Sequence, residues 1–318
     1  ELGLYDETYP ALTSDERLRM AIDASIFKMH CGEGLISEEG EYSDSIFDSL
    51  VLDSNGLRCR HIETSFEYGV EVTVQDADGN RFSSYWWDAT PMLKDLNIKD
   101  CGEIAFKRAM SQIGPVKIES GKYSMVIESE VASRLVTPVL NALGGYSLQQ
   151  KNSFMLDSLG KKMFPEWLNI WDRPVSVGET GSRLFDSEGV ATAEMPIVEN
   201  GVVKEYFVNT YMSRKMGVEA TVEDATRPVV LPCFAPSVAE PVEATCGKEE
   251  LMRIVGEGIL VTGFNGGNSN SATGDFSFGV EGFLFKDGKI VHPVREMLIT
   301  GNLLTLWNNL LAAGNDAR

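Results

Sequence analysis

At 318 residues the chain exceeds what one core comfortably organises and suits two domains. Hydrophobic residues at 43% and charged residues at 24% are ordinary globular usage, which excludes a wholly disordered or fibrous chain. Asp and Glu outnumber Lys and Arg by 47 to 28, a formal charge of −19, so the surface repels phosphate backbones and anionic lipid and argues against direct nucleic-acid binding.

From the N-terminus, Glu1 to Tyr9 lack the basic and apolar parts of a signal peptide, and no apolar run reaches bilayer-spanning length. The chain reads as cytoplasmic, with no membrane role. Thr13-Ser14-Asp15-Glu16 offers a capping box, and Leu18, Ala21, Ile22, Ser25, Ile26 and Met29 recur at helical spacing, predicting a helix over 14–30. Alternating stretches at 45–53, 57–64, 68–75 and 81–87, with a turn at Asp76 to Asn80, predict an antiparallel meander. Asp100 and Glu103 open a second helix that buries Ile104, Phe106, Met110 and Ile113 and stops at Gly114-Pro115. This helix, meander and helix form a first domain, 1–118.

Past a polar connector, Tyr123 to Glu128 reads as a strand opening a β-rich second domain, 119–318. Residues 129–143 read as a helix with Pro138 inside it, and Lys151 to Met163 as another. Asn200-Gly201 and Asp287-Gly288 sit between alternating runs, and both dipeptides favour the positive φ angles of a type I′ hairpin. Helices are expected over 248–258 and 302–313. The fold class is therefore α+β: a meander flanked by helices, then an antiparallel sheet or barrel with helices.

Candidate chemistry is sparse. A zinc protease places two histidines one helical turn apart beside a glutamate, and the three histidines, His30, His61 and His292, form no such pair. His30-Cys31 and Cys59-Arg60-His61 match no standard ligand spacing, and the five cysteines, Cys31, Cys59, Cys101, Cys233 and Cys246, are odd in number and widely spread, which reads as reduced thiols. Gly274-Asp275-Phe276-Ser277-Phe278-Gly279 puts an aspartate where a nucleophile elbow needs glycine. What stands out is Gly263 to Gly282, which packs glycines with Asn265, Asn268, Ser269, Asn270, Ser271, Thr273 and Asp275 ahead of alternating Phe276 and Phe278. Such a run reads either as a long solvated loop or as a strand edge able to receive an extended peptide.

At this segment the sequence resembles the TldD/PmbA family, once described as modulators of DNA gyrase and understood as proteins of a peptide-processing metalloprotease system. Phe185 to Val190, Val198 to Lys204 and Asn209-Thr210-Tyr211 look like the family's DxEG hairpin region. Thr273 to Ser277, Gly279, Gly282, Asp287-Gly288-Lys289, Pro293 to Glu296 and Gly301 to Leu304 look like its C-terminal signature. TldD-type members carry an HExxxH zinc motif on the helix after the first strand of the C-terminal unit. Here that helix, Glu130 to Leu140, has no histidine and contains Pro138, so the chain is similar to the PmbA (TldE) branch.

The resemblance implies a chain with no cofactor of its own, paired with a TldD-type subunit that supplies the zinc and the catalytic glutamate. It would hold unfolded or leader peptide with Asn265, Asn270, Thr273, Gly274, Asp275, Phe276 and Ser277. A homodimer is an alternative assembly, and a stand-alone peptide-binding scaffold the alternative function. A third reading places activity in this chain at His30, Cys31, Cys59 and His61. The family also implies a segment before Glu1 and a strand after Asp316, so the chain is expected to be a fragment.

Overall fold

In a computed structural model, which describes residues 2–23, 25–27, 34–238 and 246–316, the chain divides into two compact units. The first comprises Glu1–Gly114 with Ser176–Arg183, the second Pro115–Val175 with Leu184–Arg318.

The first unit is built on strand β2, Arg58–Gln75, which pairs antiparallel with β1, Leu35–Leu52, and β3, Arg81–Thr90. Period-2 alternation puts Phe66, Tyr68, Val70, Val72 and Val74 on one face, all buried. Helix α1, Ser14–Asp23, is closed at its start by the expected Thr13–Glu16 box, and the remainder of its predicted span falls partly outside the described residues. Helix α2, Ile98–Ser111, covers the buried face of β2 and β3. Its buried stripe is Cys101, Ala105, Phe106 and Ala109; of the expected residues, Phe106 lies in it and Ile113 packs against the same core, while Ile104 is half-buried outside it. Small residues let the helix lie close to the sheet, and Met110 is left exposed.

Two strands expected at 57–64 and 68–75 are one, because Ser65-Phe66-Glu67 keeps the alternation and Phe66 is fully buried. β1 likewise begins ten residues before Ser45: Glu38 to Glu41 are poor strand formers, held extended by pairing with residues 69–72 of β2.

The second unit holds two four-stranded sheets. The larger has the order β12-β11-β10-β4, with β4 at Met125–Ile127, β10 at Glu257–Ser269, β11 at Asp275–Lys286 and β12 at Lys289–Asn302. The smaller has the order β7-β6-β5-β8, from β5 Ile170–Asp172, β6 Met195–Glu199, β7 Val202–Val203 and β8 Pro228–Val230. A two-stranded ladder joins β9, Cys233–Phe234, to β13, Ala312–Ala313. All are antiparallel except β4 with β10, and among the described residues no sheet closes into a barrel. Helices α3, Ser129–Ala142, α4, Gly145–Gln149, α5, Thr210–Met216, α6, Lys248–Val255, and α7, Leu303–Asn308, complete the unit. Its core joins Leu135 and Val139 of α3 to Ile170, Ile197, Val261, Phe278, Val280 and Trp307.

Both predicted tight turns form: Asn200 and Gly201 have φ of 50° and 75°, Asp287 and Gly288 of 50° and 71°. The helix expected at 151–163 does not form. Lys151, Asp157 and Gly160 all take positive φ, which no α-helix accommodates. The helix expected over 302–313 ends at Asn308, and Ala312–Ala313 instead pairs with Cys233–Phe234.

Candidate functional site

The polar run from Gly263 to Gly282 folds as a β-hairpin rather than a solvated loop. Strand β10 reaches Ser269 through two irregularities, at Val261/Gly263 and Phe264/Gly267. Gly266 and Gly267 take φ of 89° and 84°, and a Cβ on Gly267 would overlap the Ser277 carbonyl. Glycine is required because the extra residues bulge β10 while β11 passes close beside it. Arg134 of α3 fixes the bulge, donating from Nη2 to the Gly267 carbonyl (2.6 Å) with its guanidinium carbon 5.0 Å from the Phe278 ring centroid.

Strand β11 lies between β10 and β12, so its backbone groups are already paired on both sides. Phe276 and Phe278 stack at 5.2 Å and are buried in the core. The expected strand edge at Phe276 and Phe278 is therefore corrected: an incoming peptide finds no free ladder on β11. Their alternation with polar residues reflects one buried and one open sheet face.

The hairpin's turn is tightly bonded. Asn270 accepts at Oδ1 from Ala272 N (2.9 Å), the Thr273 hydroxyl donates to Asp275 Oδ2 (2.8 Å), and Gly274 N donates to the Asn270 carbonyl (2.8 Å). Asn302 closes the arrangement: its Nδ2 donates to the Thr273 carbonyl (2.8 Å) and to Asp275 Oδ1 (3.0 Å), while its Oδ1 caps α7 by accepting from Leu304 N (3.1 Å). The Asn302 amide and the Thr273 hydroxyl hold the exposed Asp275 carboxyl below the usual carboxylate range. Gly274 takes a φ of 78°, which favours glycine, and a Cβ there would sit 3.2 Å from the Phe154 ring.

Beside this turn lies an open cavity of about 510 Å³. Of the predicted site residues, Asn270, Asp275, Phe276 and Ser277 line it, while Thr273 and Gly274 shape the turn behind it. Asn265 stands apart, donating from Nδ2 to Glu281 (3.1 Å). Asn268, Ser269 and Ser271 also line the cavity, as does Asn152, which sequence distance hid. Phe154 N donates to the Ser271 carbonyl (2.9 Å), and that bond brings the 150s loop to the hairpin. The lining offers amides, hydroxyls and one carboxylate, a set suited to binding peptide groups and holding no activated nucleophile.

The DxEG region has an architectural part. Asp186 accepts from Glu188 N, Val190 N and Glu223 N, and Glu188 accepts from the backbone N and hydroxyl of Thr210, at the start of α5. Away from the hairpin, His61 Nε2 faces Glu63 Oε2 at 3.1 Å, and Cys59, Cys101, Cys233 and Cys246 are outside any disulfide. His30 and Cys31, the other half of the expected cluster, lie outside the described residues.

Both units match one known class of protein: the chain belongs to the PmbA/TldD metallopeptidase family. Residues 6–113 match the PmbA/TldA metallopeptidase central domain, and residues 120–318 match the corresponding C-terminal domain. The chain is 32% identical to a metalloprotease PmbA homolog of Haemophilus influenzae, covering 99% of this chain and 64% of that protein. It is 28% identical to metalloprotease PmbA of Escherichia coli O157:H7, over 98% of this chain and 68% of that one. It thus spans about two thirds of these relatives. Among solved structures, a Bacteroides thetaiotaomicron protein described as a candidate modulator of DNA gyrase superposes with a TM-score of 0.91 at 39% identity, covering 99% of this chain and 70% of its own. TldE from Thermococcus kodakarensis shares the fold, with a TM-score of 0.76 at 19% identity over 95% of this chain and 69% of its own.

The family name implies a metal, and the described residues offer no ready ligand set for one. Among the described residues no group of three or more His, Cys, Asp or Glu stands together as a ligand set. Helix α3 carries Glu130, Arg134 and Pro138 and no imidazole. Glu128, just before it, is buried with its carboxylate on Lys248 Nζ (2.8 Å). No helix of the described residues is long and apolar enough to cross a membrane.

Proposed function

We propose that this chain is the metal-free member of a two-chain metalloprotease, binding unfolded or leader peptide and presenting it to a TldD-type partner that carries HExxxH. The observation that carries this reading is α3: where the resemblance puts the zinc ligands, the helix has none, and Arg134 is committed to the hairpin. The cavity supports the peptide half of the reading. Asn152, Asn268 and Asn270 pair a donor with an acceptor in each side chain, and Ser269, Ser271 and Ser277 add hydroxyls. Groups of this kind read main-chain amides and tolerate many side-chain sequences. Because β11 is paired on both sides, recognition runs through these side chains rather than through strand addition at β11.

Mixing tests the proposal. The chain alone leaves an unfolded peptide intact, and addition of an HExxxH-bearing relative produces cleavage that a chelator stops. If the relative alone cleaves equally well and the chain neither accelerates it nor associates with it, the chain is instead a free-standing peptide-binding scaffold.

A further inference from the structure

The first unit has an open sheet face that the proposed peptide site does not use. Helix α2 covers the even-numbered residues of β2 and β3, so the odd-numbered ones face away from the core. The register brings Glu39 opposite Glu71, Glu41 opposite Gly69, Tyr85 opposite Glu71 and Trp87 opposite Gly69, with Glu67 one step further. All four glutamates are exposed, as are Tyr85 (53%) and Trp87 (42%). Gly69 is a cradle: a Cβ there would overlap the Tyr85 hydroxyl, so the ring lies flat across β2. Burial, then the charges of Glu41 and Glu67, raise the Tyr85 hydroxyl's pKa, which puts both carboxylates within electrostatic reach of the ring.

Like charges directly opposite each other destabilise a sheet, and Glu39 and Glu71 form such a pair. Glu39, Glu41 and Glu71 have no ion-pair partner among the described residues, and Glu67 accepts a hydrogen bond from Ser65. Among the described residues of this face the one cation is Arg81, at the first position of β3. Carboxylates left in repulsion beside open aromatic rings are complementary to guanidinium or ammonium groups, which neutralise the carboxylates and stack on the rings. We propose that this face docks a basic, extended polypeptide segment, with Glu39, Glu41, Glu67 and Glu71 receiving its cations and Tyr85 and Trp87 packing against its arginines. The aromatic pair lies two residues apart along β3, so one extended segment can run beside both.

A fluorescein-labelled ten-residue peptide of alternating arginine and glycine, titrated with the full chain and followed by anisotropy, tests this. The chain binds that peptide and not its glutamate-for-arginine counterpart. Glu39→Gln/Glu71→Gln and Trp87→Ala each weaken binding at least about tenfold, whereas removing two exposed charges of the second unit, Glu219→Gln/Glu257→Gln, changes it less than about twofold. The Glu39→Gln/Glu71→Gln protein also unfolds at a higher temperature, because a repulsion is gone, which separates lost binding from lost folding. Absence of binding, an equal loss in the Glu219→Gln/Glu257→Gln control, or unchanged binding in Trp87→Ala overturns the proposal. So does self-association abolished by Trp87→Ala without any peptide binding, which would give the face to a second copy.

Discussion

Asn302 does three things with one side chain: it caps α7, holds the Thr273 carbonyl and pairs with Asp275. Asn302→Ala leaves these groups without their partner and is expected to cost about 2 kcal/mol, from one lost cap and two lost hydrogen bonds. Urea unfolding checks the value. Asp275 contributes differently, because its carboxyl is held below the ordinary value in the folded state. A depressed carboxyl stabilises at pH above its unfolded pKa of about 3.9, and that contribution is lost as pH falls through the folded value. Asp275→Asn therefore lowers stability at pH 7 and has less effect as the pH drops below about 4. A parallel shift at both pH values would contradict this account. At this scale part of the cavity lining was legible: Asn270, Asp275, Phe276 and Ser277 were named from the sequence. Asn152 was not, because a loop delivers it from a distance in sequence; Asn302 was marked only as part of the Gly301 to Leu304 signature, without the bonds to Thr273 and Asp275 that the fold gives it.

Among the elements, the hairpin β10–β11 depends on glycines that fail for different reasons. Gly267 combines φ of 84° with a close approach to β11, while Gly282 has an ordinary backbone but no room before the Leu260 carbonyl. Gly282→Ala is expected to lose more than about 4 kcal/mol, since neither strand can yield without breaking the ladder. Phe278→Ala removes a fully buried ring and Arg134's stacking partner, at about 3–5 kcal/mol. Thermal melts rank these two variants against Asn302→Ala, which should be the mildest. The tight turns at Asn200-Gly201 and Asp287-Gly288 were plain in the sequence because two residues set their geometry. The first half of strand β1 was not, since the Glu-rich stretch from Glu38 to Glu41 is held by its neighbour's pattern and not by its own. The hairpin's glycines suggested a flexible loop because local composition does not show that β12 would enclose β11 from the far side.

For the whole molecule, charge and family point the same way. A formal charge of −19 disfavours contact with nucleic acid. Membership of a metallopeptidase family, joined to a helix without imidazoles, makes the central claim that this chain contributes binding and a partner contributes the metal. The direct measurement is peptide cleavage by the purified chain, by an HExxxH-bearing relative and by the two mixed, each with and without a zinc chelator. The account predicts no cleavage by this chain at any zinc concentration, and chelator-sensitive cleavage by the mixture that exceeds the relative's own. Zinc-dependent cleavage by this chain alone would contradict it.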